Sequence, residues 1–276
     1  MARTRVRIRI ASLLPVLALS AASVLLTGCG ADSGPEPDAG RGEARPGDGK
    51  PVVVVTTTWE GAFAKAAGAE DITVIVPPST HHAPDYDPKP SDLAAVAKAD
   101  FVLYAPFEPY AAKIKEAAGS KAELVEVGLD NDADKVKAEV DRLGKLFGTE
   151  QAATTWKTGF DTEYKKLSGE LKAAWPGGKS PNVVAQVFTA WSAKLAGATT
   201  VGTYGPEAVT PAQLADLSKK KPALVLDNAH MSTGTVLPDS GATQVKIVNY
   251  PGEDLDLLAV YRTAAAELKK AMGATS

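Results

Sequence analysis

Val52-Val53-Val54-Val55 opens the folded part of the chain with four β-branched residues in a row. A short strand that is apolar on both faces is typical of a parallel sheet with helices on both sides. Gly61 to Ala67 then suits a short helix, and Ile72 to Val76 is a second apolar run of strand length. This alternation predicts an α/β fold.

The alternation continues and predicts a first lobe over residues 51–130. Ser91 is expected to cap a helix, with Asp92 in its first turn, where a negative charge suits the helix dipole. The further predicted elements are a helix over Ser91 to Ala99, a strand over Phe101 to Tyr104, a helix over Tyr110 to Ala118 and a strand over Leu124 to Val127.

Residues 131–175 are predicted to form two connecting helices, Ala133 to Phe147 and Thr149 to Trp175. The second is long enough to brace two lobes, and Pro176-Gly177-Gly178 stops it. Its apolar residues step by three or four positions and so share one helical face. They are Ala152, Trp156, Phe160, Tyr164, Leu167, Leu171 and Ala174.

Residues 176–276 repeat the strand and helix pattern and predict a second lobe. Each lobe is expected to be a mainly parallel sheet flanked by helices, with a cleft between the lobes. The predicted elements are strands over Asn182 to Phe188, Ala223 to Leu226 and Val245 to Val248, and helices over Thr210 to Lys219 and Asp254 to Met272.

Residues 1–28 have the pattern of a lipoprotein signal peptide. An arginine-rich head precedes the apolar segment Ala11 to Leu26, and Leu26-Thr27-Gly28-Cys29 looks like a bacterial lipobox, in which the cysteine is diacylated. Residues 29–50 are then the lipidated Cys29 and a flexible tether, because they hold no aliphatic residue larger than alanine. We expect the lipid to hold the protein on the extracytoplasmic face of the cell membrane.

Composition excludes several classes of function. Cys29 is the only cysteine, so the folded part has no disulfide and no thiolate metal ligand. The net charge is -3 and the basic residues are scattered, which argues against a nucleic-acid surface. There is no His-Glu-x-x-His helix, no Gly-x-Ser-x-Gly elbow and no phosphate-binding glycine loop, so we do not predict an enzyme.

His81-His82-Ala83-Pro84-Asp85 is the stretch with the strongest ligand chemistry. Imidazole and carboxylate are ligands of zinc and its neighbours, and the prolines around them restrict the loop. The alternative is a solvated surface loop, in which histidine is common. The third histidine, His230, follows a predicted strand together with Asp227, for which the alternative is an Asx turn. Ligands of α/β sheets lie at the carboxyl ends of strands, so the two loops are expected to meet across the cleft.

Thr56 to Phe107 resembles the amino-terminal lobe of the metal-type solute-binding proteins of ABC transporters, the cluster that serves zinc and manganese importers. The resemblance lies in the Thr-Thr after the first strand, in Tyr86-Asp87-Pro88-Lys89-Pro90-Ser91-Asp92 after the histidine loop, and in Ala99-Asp100-Phe101-Val102. The helix from Thr149 is similar to the family's connecting helix, and Tyr204 to Leu214 resembles its second-lobe segment.

The family's ligand positions are not kept. Its first histidine falls at Pro84, its second has no counterpart in Asp130 to Asp134, and its third falls at Gln186. His82 or His81 would have to act from a shifted position, so the site is either rearranged or weakened.

The resemblance implies a monomeric solute-binding lipoprotein that captures Zn²⁺, or next Mn²⁺, as cargo and delivers it to an ABC permease and its ATPase. The predicted ligands are His81, His82 and His230, with Asp227 and Asp85 supplying oxygen. Two alternatives stay open: the same fold binding a non-metal solute or metal chelate, or an accessory surface lipoprotein.

Overall fold

The computed structural model describes residues 50–80, 83–232 and 234–274. The predicted signal peptide, Cys29 and the tether up to residue 49 lie outside these ranges, and so do His81 and His82. Within Arg45–Ser276, which is one compact unit, two four-stranded sheets carry the fold.

The first sheet has the strand order β2-β1-β3-β4, and every pairing in it is parallel. The strands are β1 (Val52–Val55), β2 (Asp71–Val74), β3 (Phe101–Tyr104) and β4 (Glu123–Glu126). The central strands β1 and β3 are the most apolar because both of their faces are covered by helices. These helices are α1 (Thr58–Ala66), α2 (Pro90–Val96), α3 (Ala111–Ala118) and α4 (Ala133–Phe147).

The second sheet repeats this order as β6-β5-β7-β8, again all parallel. Its strands are β5 (Asn182–Gln186), β6 (Thr199–Tyr204), β7 (Leu224–Asn228) and β8 (Thr243–Ile247). The helices after the first lobe are α5 (Glu150–Ala174), α6 (Ala190–Ala196), α7 (Pro211–Lys219) and α8 (Leu257–Ala274). The expected pair of parallel sheets flanked by helices is therefore confirmed.

Most predicted elements are present, with boundaries shifted by a few residues. The predicted cap Ser91 is wrong: α2 begins after Lys89, whose backbone N–H donates to Asp92 Oδ2 at 2.8 Å. Asp92, in the first turn of α2, thus satisfies the N–H of the residue that precedes the helix. The sequence did not predict α6 and β6.

The long helix α5 has 25 residues and extends over about 38 Å at 1.5 Å per residue. Phe160, Leu167 and Leu171 of the predicted apolar stripe are buried, and Trp156 and Tyr164 are partly buried. The stripe is wrong at its ends, because Ala152 and Ala174 are exposed and Ala153 is buried instead. The helix packs against α4, α6 and α8, so it contacts elements of both lobes.

One hydrophobic core runs through both lobes. It joins Val53 and Phe63 of the first lobe to Leu226 and Ile247 of the second through the inward faces of α5 and α8. Two smaller clusters lie under α2 and α3 on the outer face of the first sheet, and under α7 on that of the second. The shared core fixes the positions of the two sheets relative to each other.

Direct polar contacts also bridge the lobes. The Thr58 hydroxyl donates to the Pro251 carbonyl at 2.9 Å, and Lys194 Nζ lies 3.0 Å from both Asp132 Oδ2 and Asp134 Oδ2. Asn131 Nδ2 donates to the Asn249 carbonyl at 3.0 Å. The carboxyl end of each sheet thus lies at a closely packed boundary.

Candidate functional site

The segment after the histidine pair forms a single 3₁₀ turn, Ala83–Asp85, that leads into α2. Asp85 is exposed on this turn. The Tyr86 hydroxyl donates to Asp92 Oδ2 at 2.7 Å, and Asp87 pairs with Lys113 on α3. The Tyr86 to Asp92 motif therefore has a structural role, since it fastens the end of the loop to the start of α2.

His230 lies just beyond β7 with an exposed side chain, and its backbone N–H donates to Asn228 Oδ1 at 3.0 Å. Its ring meets Tyr250 edge to face with 4.4 Å between centroids, and Tyr250 in turn meets Trp59 of α1 at 5.0 Å. This aromatic row crosses from the second lobe to the first. Removal of part of the ring from water lowers the pKa of His230, which favours the neutral imidazole that metal binding requires.

Asp227 has a different environment from the one predicted. It is a residue of β7 rather than of a loop, and it is 1% exposed. Its carboxylate accepts hydrogen bonds from the Tyr204 hydroxyl at 2.7 Å, the Ser232 hydroxyl at 2.6 Å and Gln244 Nε2 at 2.8 Å. These donors hold both carboxylate oxygens inside the second lobe, so the carboxylate of Asp227 already accepts three hydrogen bonds in the folded protein.

Three buried amides occupy the carboxyl ends of strands at the lobe boundary. Asn131 follows β4, Gln186 ends β5 and Asn249 follows β8. Asn249 Oδ1 accepts from Trp191 Nε1 at 2.9 Å, and Gln186 Oε1 accepts from the Phe188 N–H at 2.7 Å. Sequence reasoning missed Asn131 and Asn249. For Asn249, which comes two residues after β8, a polar residue close behind a strand is the signal that would have found it, whereas Asn131 lies five residues beyond β4 and has no such signal.

A cavity of about 390 Å³ opens beside these amides, between the two lobes. The Trp59 indole N–H and Asn131 Oδ1 are buried and have no hydrogen-bond partner among the described residues. The aromatic walls and polar groups of this cavity suit a small organic molecule. The lining consists of Trp59, Leu129, Asp130, Asn131, Asp132 and Lys135 from the first lobe side and Val187, Phe188, Ala190, Trp191 and Lys194 from the second.

Two buried carboxylates, Glu60 and Glu108, follow the adjacent strands β1 and β3 of the first sheet. Glu60 is fully buried, and burial together with the charge of Glu108 raises its pKa to about 7. Burial also raises the pKa of Glu108. The sequence analysis identified neither residue, because an acid in the first turn of a helix and an acid in a loop are both common on protein surfaces.

Within the described ranges, no group of three or more His, Cys, Asp or Glu side chains is arranged to hold a metal ion. His230 and Asp85 are therefore not brought together with a third described ligand, and His81 and His82 lie outside the description. In the part of the chain that the structure covers, no helix combines the length and apolarity needed to cross a membrane.

A sequence model of one protein family matches residues 53–153, which span the first lobe and α4. The family is described as zinc-uptake complex component A, periplasmic. No curated protein is significantly similar to the chain in sequence.

Solved structures share the fold at low sequence identity. The laminin-binding protein Lmb of Streptococcus agalactiae, described as having adhesin and metal-transporting activity, is 17% identical with a TM-score of 0.57, and the match covers 80% of this chain and 99% of that one. FpvC from Pseudomonas aeruginosa, a solute-binding protein in complex with Mn²⁺, is 14% identical with a TM-score of 0.59, over 83% and 100% of the two chains.

Zn(II)-bound AdcA from Streptococcus pneumoniae is 18% identical with a TM-score of 0.54, over 81% of this chain and 58% of that one. These neighbours span both lobes, whereas the family model spans the first lobe and α4. The resemblance drawn from the sequence is therefore confirmed: the chain is similar to the metal-type solute-binding proteins of ABC transporters, in sequence over residues 53–153 and in fold over both lobes.

Proposed function

We propose that this chain is the extracytoplasmic solute-binding lipoprotein of an ABC importer, and that its cargo is a divalent transition metal, zinc first and manganese next. It would be a monomer held to the membrane by lipid on Cys29, and would deliver the metal to a permease and its ATPase. The match to the zinc-uptake family and the fold shared with metal-bound neighbours support this proposal.

The observation that carries the proposal is the position of His230. It lies at the carboxyl end of a central strand, where ligands of parallel sheets bind, and its aromatic row reaches Trp59 of the first lobe. The segment that contains His81 and His82 comes after β2 in the chain. Just beyond the end of β2, the Val76 N–H donates to the Thr56 carbonyl at 2.9 Å, so the chain that leads to this segment lies beside the end of β1. We propose His81, His82 and His230 as nitrogen ligands, with Asp85 as an oxygen ligand.

The experiment is a calorimetric titration of the purified full chain, stripped of metal, with zinc and then manganese. We expect about one equivalent to bind, and His82→Ala and His230→Ala each to weaken binding at least a hundredfold, because a site of three or four ligands loses much of its affinity with each one. Met231→Ala is the matched control, since Met231 is an exposed neighbour of His230. Unchanged binding by both histidine variants, or no binding by the wild type, would refute the proposal.

A second function, binding of a small non-metal solute or a metal chelate, is favoured by the cavity beside Trp59 and Asn131. Its volume of about 390 Å³ fits a small organic molecule, and Trp59 Nε1 and Asn131 Oδ1 offer one donor and one acceptor without protein partners among the described residues. A ligand that binds only the native state raises its melting temperature. A thermal-shift screen of organic solutes and chelates with the metal-stripped protein therefore separates the two functions.

A further inference from the structure

Glu60 and Glu108 lie at the topological switch point of the first sheet, where the chain turns in opposite directions after two neighbouring strands. Strand β1 pairs with β2 on one side and β3 on the other, so the chain leaves the two central strands in opposite directions. Glu60 lies in the first turn of α1, directly after β1, and Glu108 lies in the loop after β3. Crevices at this point of parallel α/β sheets are where ligands bind.

The hydrogen bonds that Glu60 and Glu108 accept do not use the full accepting capacity of their four carboxylate oxygens. Glu60 Oε2 accepts from the Thr57 N–H at 3.1 Å and from the Thr57 hydroxyl, as expected for a capping box. Glu60 Oε1 is buried and has no partner among the described residues. Glu108 accepts one bond on each oxygen, from the Ala105 N–H at 3.1 Å and from the Tyr110 hydroxyl at 3.0 Å. Helix capping therefore explains only one of the four carboxylate oxygens.

The side-chain hydroxyl of Thr56 is an independent indication of a binding site. Thr56 is fully buried at the end of β1, and its hydroxyl has no hydrogen bond of good geometry to any described residue. It nevertheless lies close enough to Glu108 to offset part of the rise that burial causes in the pKa of that carboxyl. This buried hydroxyl beside Glu108 thus adds a third oxygen-bearing side chain to the two buried carboxylates.

Among the described residues, no positive charge compensates this cluster. Neither carboxyl has its pKa lowered by a lysine or arginine of the described chain. Tyr250 of the second lobe lies near the cluster, and its phenol pKa is raised by burial and by the charges of Glu60 and Glu108. Removing an ionised carboxylate from water costs several kcal/mol unless it is paired. Two such groups at one switch point thus require either a shared proton or a cation.

We infer that Glu60 and Glu108 form a binding site for one divalent cation of the oxygen-preferring class, separate from the proposed histidine site. Carboxylate and hydroxyl oxygens suit Mn²⁺, Mg²⁺ and Ca²⁺ better than zinc, which prefers nitrogen and sulfur. The cation supplies the positive charge that the cluster lacks.

The test uses Mn²⁺ as the probe, with the free ion measured by electron paramagnetic resonance during titration of the metal-stripped full chain. We expect the wild type and His230→Ala to bind one equivalent at this site, and Glu60→Gln and Glu108→Gln each to bind at least tenfold more weakly. Glu116→Gln, an exposed acid on α3, is the matched control. Melting curves establish that each variant is folded.

The outcomes separate this inference from the proposed function. If both glutamine variants bind Mn²⁺ as tightly as the wild type, or the wild type binds none, the two carboxylates share a proton and the inference is wrong. Zinc titration of the same variants measures the histidine site on its own. Loss of zinc binding in His230→Ala, with Mn²⁺ binding retained, supports two separate sites.

Discussion

Replacing Tyr261 with alanine is expected to lower the free energy of unfolding by about 3–5 kcal/mol, the range for loss of a large aromatic side chain from a core. Tyr261 of α8 is fully buried. Its ring contacts those of Phe160, Tyr164 and Trp191 with centroid distances of 5.1, 5.9 and 5.0 Å. Its hydroxyl donates to the Asn131 carbonyl at 2.8 Å. The side chain therefore joins α8 to α5, α6 and the connection between β4 and α4.

Thermal unfolding measures this effect. At about 2–4 °C per kcal/mol for a domain of this size, the melting temperature of Tyr261→Ala should fall by about 6–20 °C. Tyr261→Phe is the control, because it keeps the ring and removes only the hydrogen bond, at a cost of about 1–2 kcal/mol. Equal losses in the two variants would mean that the hydroxyl, rather than the aromatic contacts, holds the lobes together.

The sequence predicted the parts of the fold that have a strong local pattern. In α4, Val136, Val140, Leu143 and Phe147 step by four, three and four residues, and all of them are buried. Asp132 caps this helix and Gly148 ends it at φ 70°, so its predicted boundaries are those observed. Local pattern and tertiary packing agree in this helix.

The missed elements have weak local patterns. The edge strand β6 reads Thr-Thr-Val-Gly-Thr-Tyr and buries only Tyr204, because it has a neighbour on one side only. Helix α6 has seven residues, which is too short to show a helical period. Both elements owe their stability to β5 and to the shared core, which a local pattern does not reveal.

The candidate site was less predictable than the fold. The apolar run of β7 was expected to stop at Leu226, but the strand continues through Asp227 and Asn228, which pair with Lys246 and Ile247 of β8. A partner strand that lies about twenty residues further along the chain thus decides whether this acid lies in a loop or in a sheet. In the same way, Tyr250 lies near enough to Glu60 for the charge of that carboxylate to raise the tyrosine pKa, although the two residues are 190 positions apart in the sequence.

Asp227→Ala is expected to destabilise the protein by about 3 kcal/mol or more without weakening zinc binding. The substitution leaves the buried Tyr204 hydroxyl without an acceptor, and each buried unsatisfied donor costs about 1–3 kcal/mol. It also removes an acceptor from the partly buried side chains of Ser232 and Gln244, although Gln244 keeps its bond to the Gly234 carbonyl. The melting temperature should therefore fall by about 6–12 °C. If Asp227 is instead a metal ligand, as the sequence predicted, the loss appears in zinc affinity.

Asp227→Asn separates the two roles most clearly, because asparagine keeps the shape of the side chain and one oxygen that accepts from Tyr204. We expect a smaller fall in melting temperature than for alanine, with zinc affinity within a factor of two of the wild type when titrated below the transition. Gln244→Ala removes one of the donors to the same carboxylate and should leave zinc affinity equally unchanged. An acceptor that three donors occupy in the folded state is not free to coordinate a metal. A tenfold loss of zinc affinity in Asp227→Asn, at an unchanged melting temperature, would therefore contradict the structural role of Asp227 and restore it as a ligand.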